Sequence, residues 1–368
     1  EIRFSDEAAV RGLIHTTSIS KTSPEASLWI YQSNAGGAGV VDYDLDGWPD
    51  LYLTVIDGQP MKRNSGTNRL FRNQGGSFSD WTDAAAAHDN GFSQGIAVGE
   101  YNADGFPDLL VANIGANRCL RNNGDGTFQD VTEAVGLKGK RWTTSVAIAD
   151  LDSDGVADLF EVNYAAGESP YVQACIESDL NEPRSCSPLV FPAEPDRLWG
   201  GLGDGTFADQ SEACLASQVA GHGLGLVVGQ IDMGPGLDVY VANDMTANQF
   251  WSATAIEKEA GSEFVLGEQA AVRGLAVNRR SKSQASMGIA IGDADTDGDL
   301  DIFLTHFTDD YNTLYEQIKP GTWSDRTASV GMTQPSMKML AFGTEWIDAD
   351  NNGSLELMVA NGNVDDVS

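Results

Sequence analysis

The amino-acid sequence predicts an all-β protein, a β-propeller whose blades are four-stranded antiparallel sheets. Three observations lead to this prediction: an acidic pattern of nine residues that recurs six times along the 368 residues, apolar β-rich runs after most copies, and tight turns that recur later in each unit. Repeats that pack only on their neighbours can extend one domain beyond the usual size. We therefore predict a single β-propeller domain over residues 1–368.

The acidic pattern has the form Asp-x-Asp-x-Asp-Gly-x-x-Asp, with Asn or Glu at some positions. Its six copies, the six recognisable repeats, occupy residues 42–50, 100–108, 150–158, 230–238, 293–301 and 348–356. The fourth copy departs from the pattern, because Gln230 and Gly234 replace acids and Pro235 replaces the glycine. We predict that this copy is a turn without a metal ion.

Strand-like segments surround each acidic loop. Residues 51–55, 109–112 and 302–305 are apolar and rich in β-formers, whereas the preceding residues 95–99 are small, which suits a crowded inner strand. Later in most units a tight turn leads into an aromatic-x-Asp segment, as at 78–80, 128–130, 207–209 and 323–325. A unit therefore contains a strand, the acidic loop, two more strands, a hairpin turn and a fourth strand, as a propeller blade does.

The residue types of the loop match the chemistry of calcium. This ion takes six to eight hard oxygen ligands, which carboxylates, amide carbonyls and backbone carbonyls supply. Oxygens at positions one, three and five converge if glycine at position six lets the chain reverse, position seven offers its backbone carbonyl, and the acid at position nine chelates with both oxygens. Without a cation these carboxylates repel each other. The sequence therefore predicts five calcium ions, one in each loop that keeps the pattern.

The predicted ligands are the first, third, fifth, seventh and ninth residues of the five loops. They are Asp42, Asp44, Asp46, Trp48 and Asp50; Glu100, Asn102, Asp104, Phe106 and Asp108; Asp150, Asp152, Asp154, Val156 and Asp158; Asp293, Asp295, Asp297, Asp299 and Asp301; and Asp348, Asp350, Asn352, Ser354 and Glu356. An EF-hand loop begins in the same way, but it needs Glu at position twelve and flanking helices. Among the five loops only Glu161 stands at that position, and strand-like runs follow the loops.

The loops and the runs that follow them resemble FG-GAP/VCBS repeats, which integrin α-subunit propellers carry. Residues 120–137 (LRNNGDGTFQDVTEAVGL) and 221–250 (GHGLGLVVG…DVYVANDMTANQF) resemble more closely the cartilage acidic protein family, over nearly the whole chain. This resemblance implies a secreted calcium-binding propeller with an adhesion or matrix role, and bacterial relatives of largely unknown activity. The family's calcium ligands carry over to the five loops named above.

The two ends of the sequence bear on how the ring closes. Residues 4–13 repeat the edge-strand pattern without the strands that should precede it, so we predict that this edge strand closes the last blade. The last blade lacks a third strand before Ser368. Either the ring has six blades with a gap, or a seventh blade lies beyond the printed chain. We favour seven blades in the parent protein, with the remainder cleaved, disordered or supplied by a further polypeptide that completes the last blade.

Cysteine usage indicates an oxidising compartment. Residues 164–195 interrupt the third blade and contain Cys175 and Cys186, which we predict to form a disulfide that pins the insertion; two free thiols are the alternative. The pairing of Cys119 and Cys214 stays open. Because the chain begins at Glu1, as a processed export product does, we expect a secreted, cell-surface or periplasmic protein.

The charge balance excludes some partners. The 54 acidic residues against 22 Lys and Arg give a net charge of −32, so a basic surface for nucleic acid is excluded and anionic membranes repel the chain. No apolar run reaches the roughly 20 residues of a membrane span, so we expect no membrane insertion. The expected partner is a protein or glycan ligand.

Two functions stay open after these steps. The sequence favours an extracellular calcium-binding scaffold or adhesion module in which calcium rigidifies the blade loops. The alternative is a polysaccharide-active enzyme, a lyase or hydrolase, with His222 and Asp244 as weak catalytic candidates on the face opposite the calcium loops. The polar residues that end the second strands are expected on that face as well: Asn113, Asn163, Asn243, His306 and Asn361.

Overall fold

The computed structural model describes residues 4–17, 29–34, 36–177, 182–216, 218–253 and 264–362. They form two compact units: an N-terminal unit over 4–150 and 155–209, and a C-terminal unit over 151–154 and 210–362. Antiparallel sheets dominate both units.

The first blade of the N-terminal unit follows a short helix, α1 (Ile30–Ser33). Its strands are β1 (Ala38–Val41), β2 (Asp50–Leu53), β3 (Arg69–Asn73) and β4 (Phe78–Asp80), hydrogen-bonded in the order of the chain. The acidic loop 42–49 joins β1 to β2, and a tight turn joins β3 to β4. The predicted order of strands, acidic loop and hairpin is therefore the order of this sheet.

The second and third blades share one sheet. Their strands are β5 (Ser93–Gly99), β6 (Asp108–Gly115), β7 (Arg118–Asn122), β8 (Phe128–Asp130), β9 (Arg141–Ala149), β10 (Asp158–Asn163), β11 (Cys175–Glu177), β12 (Glu182–Arg184), β13 (Arg197–Gly201) and β14 (Phe207–Asp209). Ile114 and Gly115 at the end of β6 pair with Trp142 and Arg141 of β9, which joins the two blades into eight strands. The hairpin β11–β12 and two short 3-10 helices (Ser169–Tyr171 and Pro188–Val190) lie in the insertion.

The C-terminal unit repeats the same arrangement. Its elements are α2 (Ser211–Cys214), β15 (Leu215–Ala216), β16 (Gly223–Gly229), β17 (Asp238–Asn243), β18 (Gln249–Ala253), β19 (Leu266–Glu268), α3 (Ala270–Arg273), β20 (Ser286–Gly292), β21 (Asp301–His306), β22 (Thr313–Lys319), β23 (Thr322–Asp325), α4 (Thr333–Ser336), β24 (Leu340–Ile347) and β25 (Glu356–Gly362). β16–β19 form the fourth blade, with β15 parallel to β19, and β20–β23 form the fifth. β24 and β25 form a two-stranded sheet, the described part of the sixth.

These sheets confirm the predicted fold class, an all-β protein with the four-stranded antiparallel blades of a β-propeller. In the second to fifth blades the second strand is the most buried one, since every residue of β6, β10, β17 and β21 is buried. A strand that is covered on both faces needs a continuous apolar run, and this is why the sequence shows such runs after the acidic loops. The four described α-helices have four residues each, and no described helix could cross a membrane.

Aromatic side chains of consecutive blades fill the space between sheets within each unit. In the N-terminal unit, Tyr101 of the second blade packs on Phe207 of the third, with ring centroids 5.7 Å apart. In the C-terminal unit, Phe250 of the fourth blade packs on Trp323 of the fifth, at 5.6 Å. The aromatic of the aromatic-x-Asp segment is thus a contact between blades.

In the N-terminal unit, a turn that we call the docking turn holds each fourth strand, and this turn comes earlier in the chain. The first residue of a fourth strand donates its N–H to a carbonyl of that turn: Phe78 to Arg11 (2.6 Å), Phe128 to Ala85 (2.7 Å) and Phe207 to Val135 (2.8 Å). Residues 4–13, predicted as an edge strand of the last blade, contain the first of these turns, at Ala8–Gly12, and no strand. The repeated pattern is present at residues 4–13. It forms the docking turn here, without the fourth strand that comes before this turn in the later repeats.

Candidate metal loops

The acidic loops lie at one end of the blades, between the first and second strands. Their ninth residue is the first residue of the second strand in each case: Asp50, Asp108, Asp158, Asp238, Asp301 and Glu356. Glycine at position six adopts a left-handed conformation, with φ of +87° at Gly47 and +98° at Gly298. This is the chain reversal that the pattern predicts.

The reversal has a second component that the sequence did not reveal. The fourth residue of each loop is also left-handed although it is not glycine: Leu45, Ala103, Ser153, Met233, Thr296 and Asn351 have φ between 55° and 67°. A left-handed conformation is costly for such residues. The loop therefore has a strained backbone at position four and needs glycine at position six. Such a shape indicates a role beyond connecting two strands.

Backbone N–H groups fix the carboxylate at position one. The N–H of the loop glycine donates to it in all five loops that keep the pattern: Gly47 to Asp42, Gly105 to Glu100, Gly155 to Asp150, Gly298 to Asp293 and Gly353 to Asp348, at 2.5–3.0 Å. Charge-assisted hydrogen bonds of this kind orient a carboxylate before any ligand binds. The side chains at position one are therefore held in place by the loop itself.

The acid at position nine connects the loop to the third strand. Asp50 accepts the N–H of Tyr43 in the loop (3.3 Å) with one oxygen and the N–H of Asn73 in β3 (2.7 Å) with the other. Asp108 and Asp301 do the same in their blades. Both oxygens thus have backbone donors, which competes with the predicted chelation through both oxygens. Burial raises the pKa of these carboxyls, to about 6 for Asp50 and about 7 for Asp108.

Acidic groups converge in several of these loops closely enough to hold a metal ion. One carboxylate oxygen from each residue lies within 4.8 Å of the others in the groups Asp42, Asp44 and Asp50; Asp293, Asp295 and Asp297; and Asp348, Asp350 and Glu356. In the second loop the third position is Asn102, and the described residues contain no comparable group of three acids there. Asn102 donates instead to Asp104, at 2.9 Å. The seventh residues directly follow the loop glycines, and their role as backbone ligands stays a prediction: Trp48, Phe106, Val156, Asp299 and Ser354.

Two buried carboxylate oxygens of these loops have no hydrogen-bond partner among the described residues. They are Oδ1 of Asp44 and Oδ1 of Asp299. Burial and the neighbouring Asp297 raise the pKa of Asp299 to about 6. A buried carboxylate oxygen without a donor is costly unless a cation compensates it. The residues of the first and fifth loops therefore fit a hard metal ion.

An arginine already contacts the first loop. Arg72 of β3 places Nη2 at 2.6 Å from Asp44 and at 3.1 Å from Asp46, and its guanidinium lies over the ring of Trp81. Part of the negative charge of this loop is thus neutralised by the chain itself. Sequence reasoning missed Arg72 because it is distant in sequence from the loop.

An arginine also contacts the fourth loop, which has fewer acids than the other five. Arg273 of α3 lies with Nη2 at 2.8 Å from Asp232, and its guanidinium stacks over Phe250. Gln230 donates to the carbonyl of Gly234 across the loop, at 2.6 Å. An internal cation and a side-chain amide thus stabilise this loop.

The opposite face does not present the open polar ring expected from sequence. Asn113, Asn163, Asn243 and His306 are buried and hydrogen-bonded within their blades. His222 is buried as well, and the N–H of Asp244 donates to its backbone carbonyl at 2.8 Å. The burial of His222 does not favour the polysaccharide-active enzyme.

The insertion of the third blade is closed by the predicted disulfide between Cys175 and Cys186. It lies between Ala165 and Ala193, which form an isolated bridge, and β11 and β12 form its hairpin. Cys119 and Cys214 are buried and take part in no disulfide within the described part of the chain.

The FG-GAP-like repeat matches this chain over residues 42–111, 100–161 and 293–359, together just over half of its length. No curated protein matches it. Solved structures similar to it include an Agrocybe aegerita lectin described as recognising non-reducing terminal N-acetylglucosamine (15% identity, 89% of this chain and 71% of that chain, TM-score 0.44). Another is BBS1N in complex with ARL6DN (11% identity, 92% and 76%, TM-score 0.42). These scores carry no conclusion about function, and the finer resemblance to the cartilage acidic protein family is not confirmed.

Proposed function

Because this chain belongs to the family of proteins with FG-GAP-like repeats, we propose that it is an extracellular calcium-binding β-propeller that acts as a binding or adhesion module. The observation that carries the proposal is the convergence of three carboxylates in the loops that begin at Asp42, Asp293 and Asp348. Carboxylate, amide and backbone oxygens are the ligands that calcium prefers, and the loops contain no His or Cys.

Calcium would supply the positive charge that these loops lack. Asp44 and Asp299 have buried oxygens without donors, and the fifth loop contains five Asp residues within nine positions. An ion that binds the folded loop and not the unfolded chain stabilises the fold by mass action. We propose five such ions, in the loops at Asp42, Glu100, Asp150, Asp293 and Asp348, and none in the fourth loop. Calcium then rigidifies the blades that present a protein or glycan ligand site.

A secreted, cell-surface or periplasmic location is part of the proposal. The Cys175–Cys186 disulfide supports it, because disulfides persist in oxidising compartments. The resemblance to the cartilage acidic protein family points in the same direction.

A calcium titration tests the proposal. We expect calcium to raise the melting temperature of the protein and a chelator to lower it, with calorimetry giving five bound ions. Asp295→Asn keeps the shape of the side chain and removes a carboxylate from the fifth loop, so it should lower the number of bound ions by one. Asp232→Asn is the matched control at the same position of the fourth loop, and it should leave the number unchanged. Absence of calcium binding at millimolar concentration would overturn the proposal.

A further inference from the structure

Five cationic side chains line one cavity in this strongly acidic chain. The cavity has a volume of about 620 Å³, lies in the N-terminal unit between the end of β6 and the start of β9, and is lined by Arg63, Arg118, Lys138, Lys140 and Arg141. These are five of only 22 Lys and Arg residues in a chain of net charge −32. Such a concentration of positive charge indicates a local function, since solubility is provided by the acidic residues.

The three arginines are held by acids that lie beside or behind them. Arg63 pairs with the fully buried Asp89, at 3.2 Å, and Arg118 places Nη1 at 2.6 Å from Asp130. Arg141 pairs with Glu194. These contacts orient the guanidinium groups without using all of their donors.

Two arginine N–H groups beside the cavity lack a hydrogen-bond acceptor among the described residues. Nε of Arg118 and Nε of Arg141 are buried and have no hydrogen-bond partner among the described residues. Nε of Arg118 lies 3.8 Å from Asp89, which is too long for a hydrogen bond. A buried N–H of a charged group that has no acceptor is costly, and an anionic ligand would supply the acceptor.

Two lysines add charge that the chain does not neutralise. Lys138 and Lys140 are exposed on either side of Gly139, which has φ of +111°, and neither forms an ion pair within the described part of the chain. The pocket therefore combines arginines fixed by acids with lysines free to close on a ligand. Of the acids that line it, Glu133 is exposed and Glu161 is buried.

The remaining lining combines the polar side chains of Asn117, Thr132 and Thr143 with Leu137, Ala116 and two glycines. Nδ2 of Asn117 lies 2.8 Å from Glu161 and 3.1 Å from the hydroxyl of Thr143. Burial raises the pKa of the Glu161 carboxyl. These groups are hydrogen-bonded to each other, and the hydroxyls of a sugar can replace such bonds, whereas an apolar ligand cannot.

We propose that this cavity binds an acidic saccharide, a mono- or disaccharide that carries a carboxylate such as a uronate. The carboxylate is recognised by Arg118, Arg141 and the two lysines, and the sugar hydroxyls by the groups around Asn117. The volume fits a small molecule. A long polyanion is disfavoured because the rest of the chain is acidic. The inference deepens the proposed binding role by naming a ligand class, and it does not depend on calcium.

Binding of glucuronate and galacturonate to the calcium-loaded chain, measured by calorimetry, tests the proposal. Glucose has the same hydroxyls without the carboxylate, and sodium sulfate has the charge without the sugar. We expect both uronates to bind, glucose not to bind, and sulfate to bind at least about ten-fold more weakly than the uronates. The double variant Lys138→Gln/Lys140→Gln, at two exposed positions, should bind uronate about ten-fold more weakly, because two charge-assisted hydrogen bonds are lost.

The matched control is Lys319→Gln/Lys338→Gln, which changes the net charge equally at exposed lysines of the C-terminal unit. It should bind uronate as the wild type does. Equal losses in the two double variants would show a general charge effect and overturn the proposal, as would equal binding of sulfate and uronate. Failure of uronate to bind a chain that still binds calcium overturns this inference alone. Uronate binding without calcium binding overturns the calcium role alone.

Discussion

Asp196 accepts a hydrogen bond from the backbone N–H of Asn163 at 2.9 Å, and it stands where four other blades have asparagine. The residue just before the third strand accepts an N–H from the end of the second strand in each of them: Asn68 from Val55, Asn117 from Asn113, Asn248 from Asn243 and Asn312 from His306. Burial raises the pKa of Asp196 to about 7. One blade therefore has a titratable group at a position where the others have a neutral amide.

Replacement of this acid by the residue that the other blades use should stabilise the protein at alkaline pH. In the unfolded chain the carboxyl ionises near 3.8, whereas the folded chain keeps the proton until about 7. The folded state binds more protons in this range, so the free energy of unfolding falls as the pH rises through it. Asp196→Asn removes this fall. Above the higher pKa the free energy of unfolding of the variant should exceed that of the wild type by up to about 4 kcal/mol. Chemical denaturation at a series of pH values measures the gain.

The reverse exchange in the fourth blade is the control. Asn248→Asp should lose stability at alkaline pH and approach the wild type at acidic pH, where the new carboxyl is protonated. If the stability of Asp196→Asn followed the same pH profile as the wild type, the carboxyl of Asp196 would not be the group that titrates.

The arginine at the first loop should weaken calcium binding there. Arg72 lies at 2.6 Å from Asp44 and 3.1 Å from Asp46, so a cation entering this loop must displace or repel its guanidinium. Arg72→Met keeps the length of the side chain without the charge. We expect the calcium affinity of this loop to rise about ten-fold, measured by calorimetry with the ion count unchanged. Arg69→Met, which removes an arginine of the same strand that pairs with Asp80, should leave the affinity as it is. Unchanged affinity in Arg72→Met would show that the ion and the guanidinium do not compete.

The docking turn after the fourth blade should tolerate no side chain at its glycine. Gly274 has φ of +84°, and a Cβ on it would lie 2.2 Å from the carbonyl oxygen of Trp323. Gly331, in the corresponding turn after the fifth blade, has φ of +77° and nothing within 4 Å of such a Cβ. Both alanine variants incur about 1–2 kcal/mol from the left-handed backbone, and Gly274→Ala should lose about 2 kcal/mol more through the clash. If Gly274→Ala and Gly331→Ala lowered the melting temperature equally, the close contact between Gly274 and Trp323 would be contradicted.

The arginine of the fourth loop should stabilise the protein independently of calcium. Arg273→Met leaves Asp232 without its 2.8 Å partner in a mostly buried site, which should cost about 2–3 kcal/mol. Because no ion is proposed in this loop, the loss should be the same in calcium and in chelator. A loss that appears only in chelator would mean that calcium enters this loop.

The blades and the acidic loops were predictable because their signals are local and repeated. Glycine at position six, the carboxylate at position one and the apolar second strand lie within a few residues of each other, so the sequence displays them together. Arg72, Arg273 and the cationic cavity were not predictable, because their members come from different strands and turns. The role of Asp50 was predicted only in part, since its bond to Asn73 depends on which strand pairs beside β2.

The docking turns also relate the contacts of the N-terminal unit to the order in which the chain is synthesised. Arg11 precedes Phe78 in the chain, Ala85 precedes Phe128 and Val135 precedes Phe207, so the acceptor carbonyl is always synthesised before the strand that binds it. A strand leaving the ribosome meets an acceptor that has already been synthesised. Assembly can then proceed from the amino end one repeat at a time, and each new sheet is templated by its predecessor during translation.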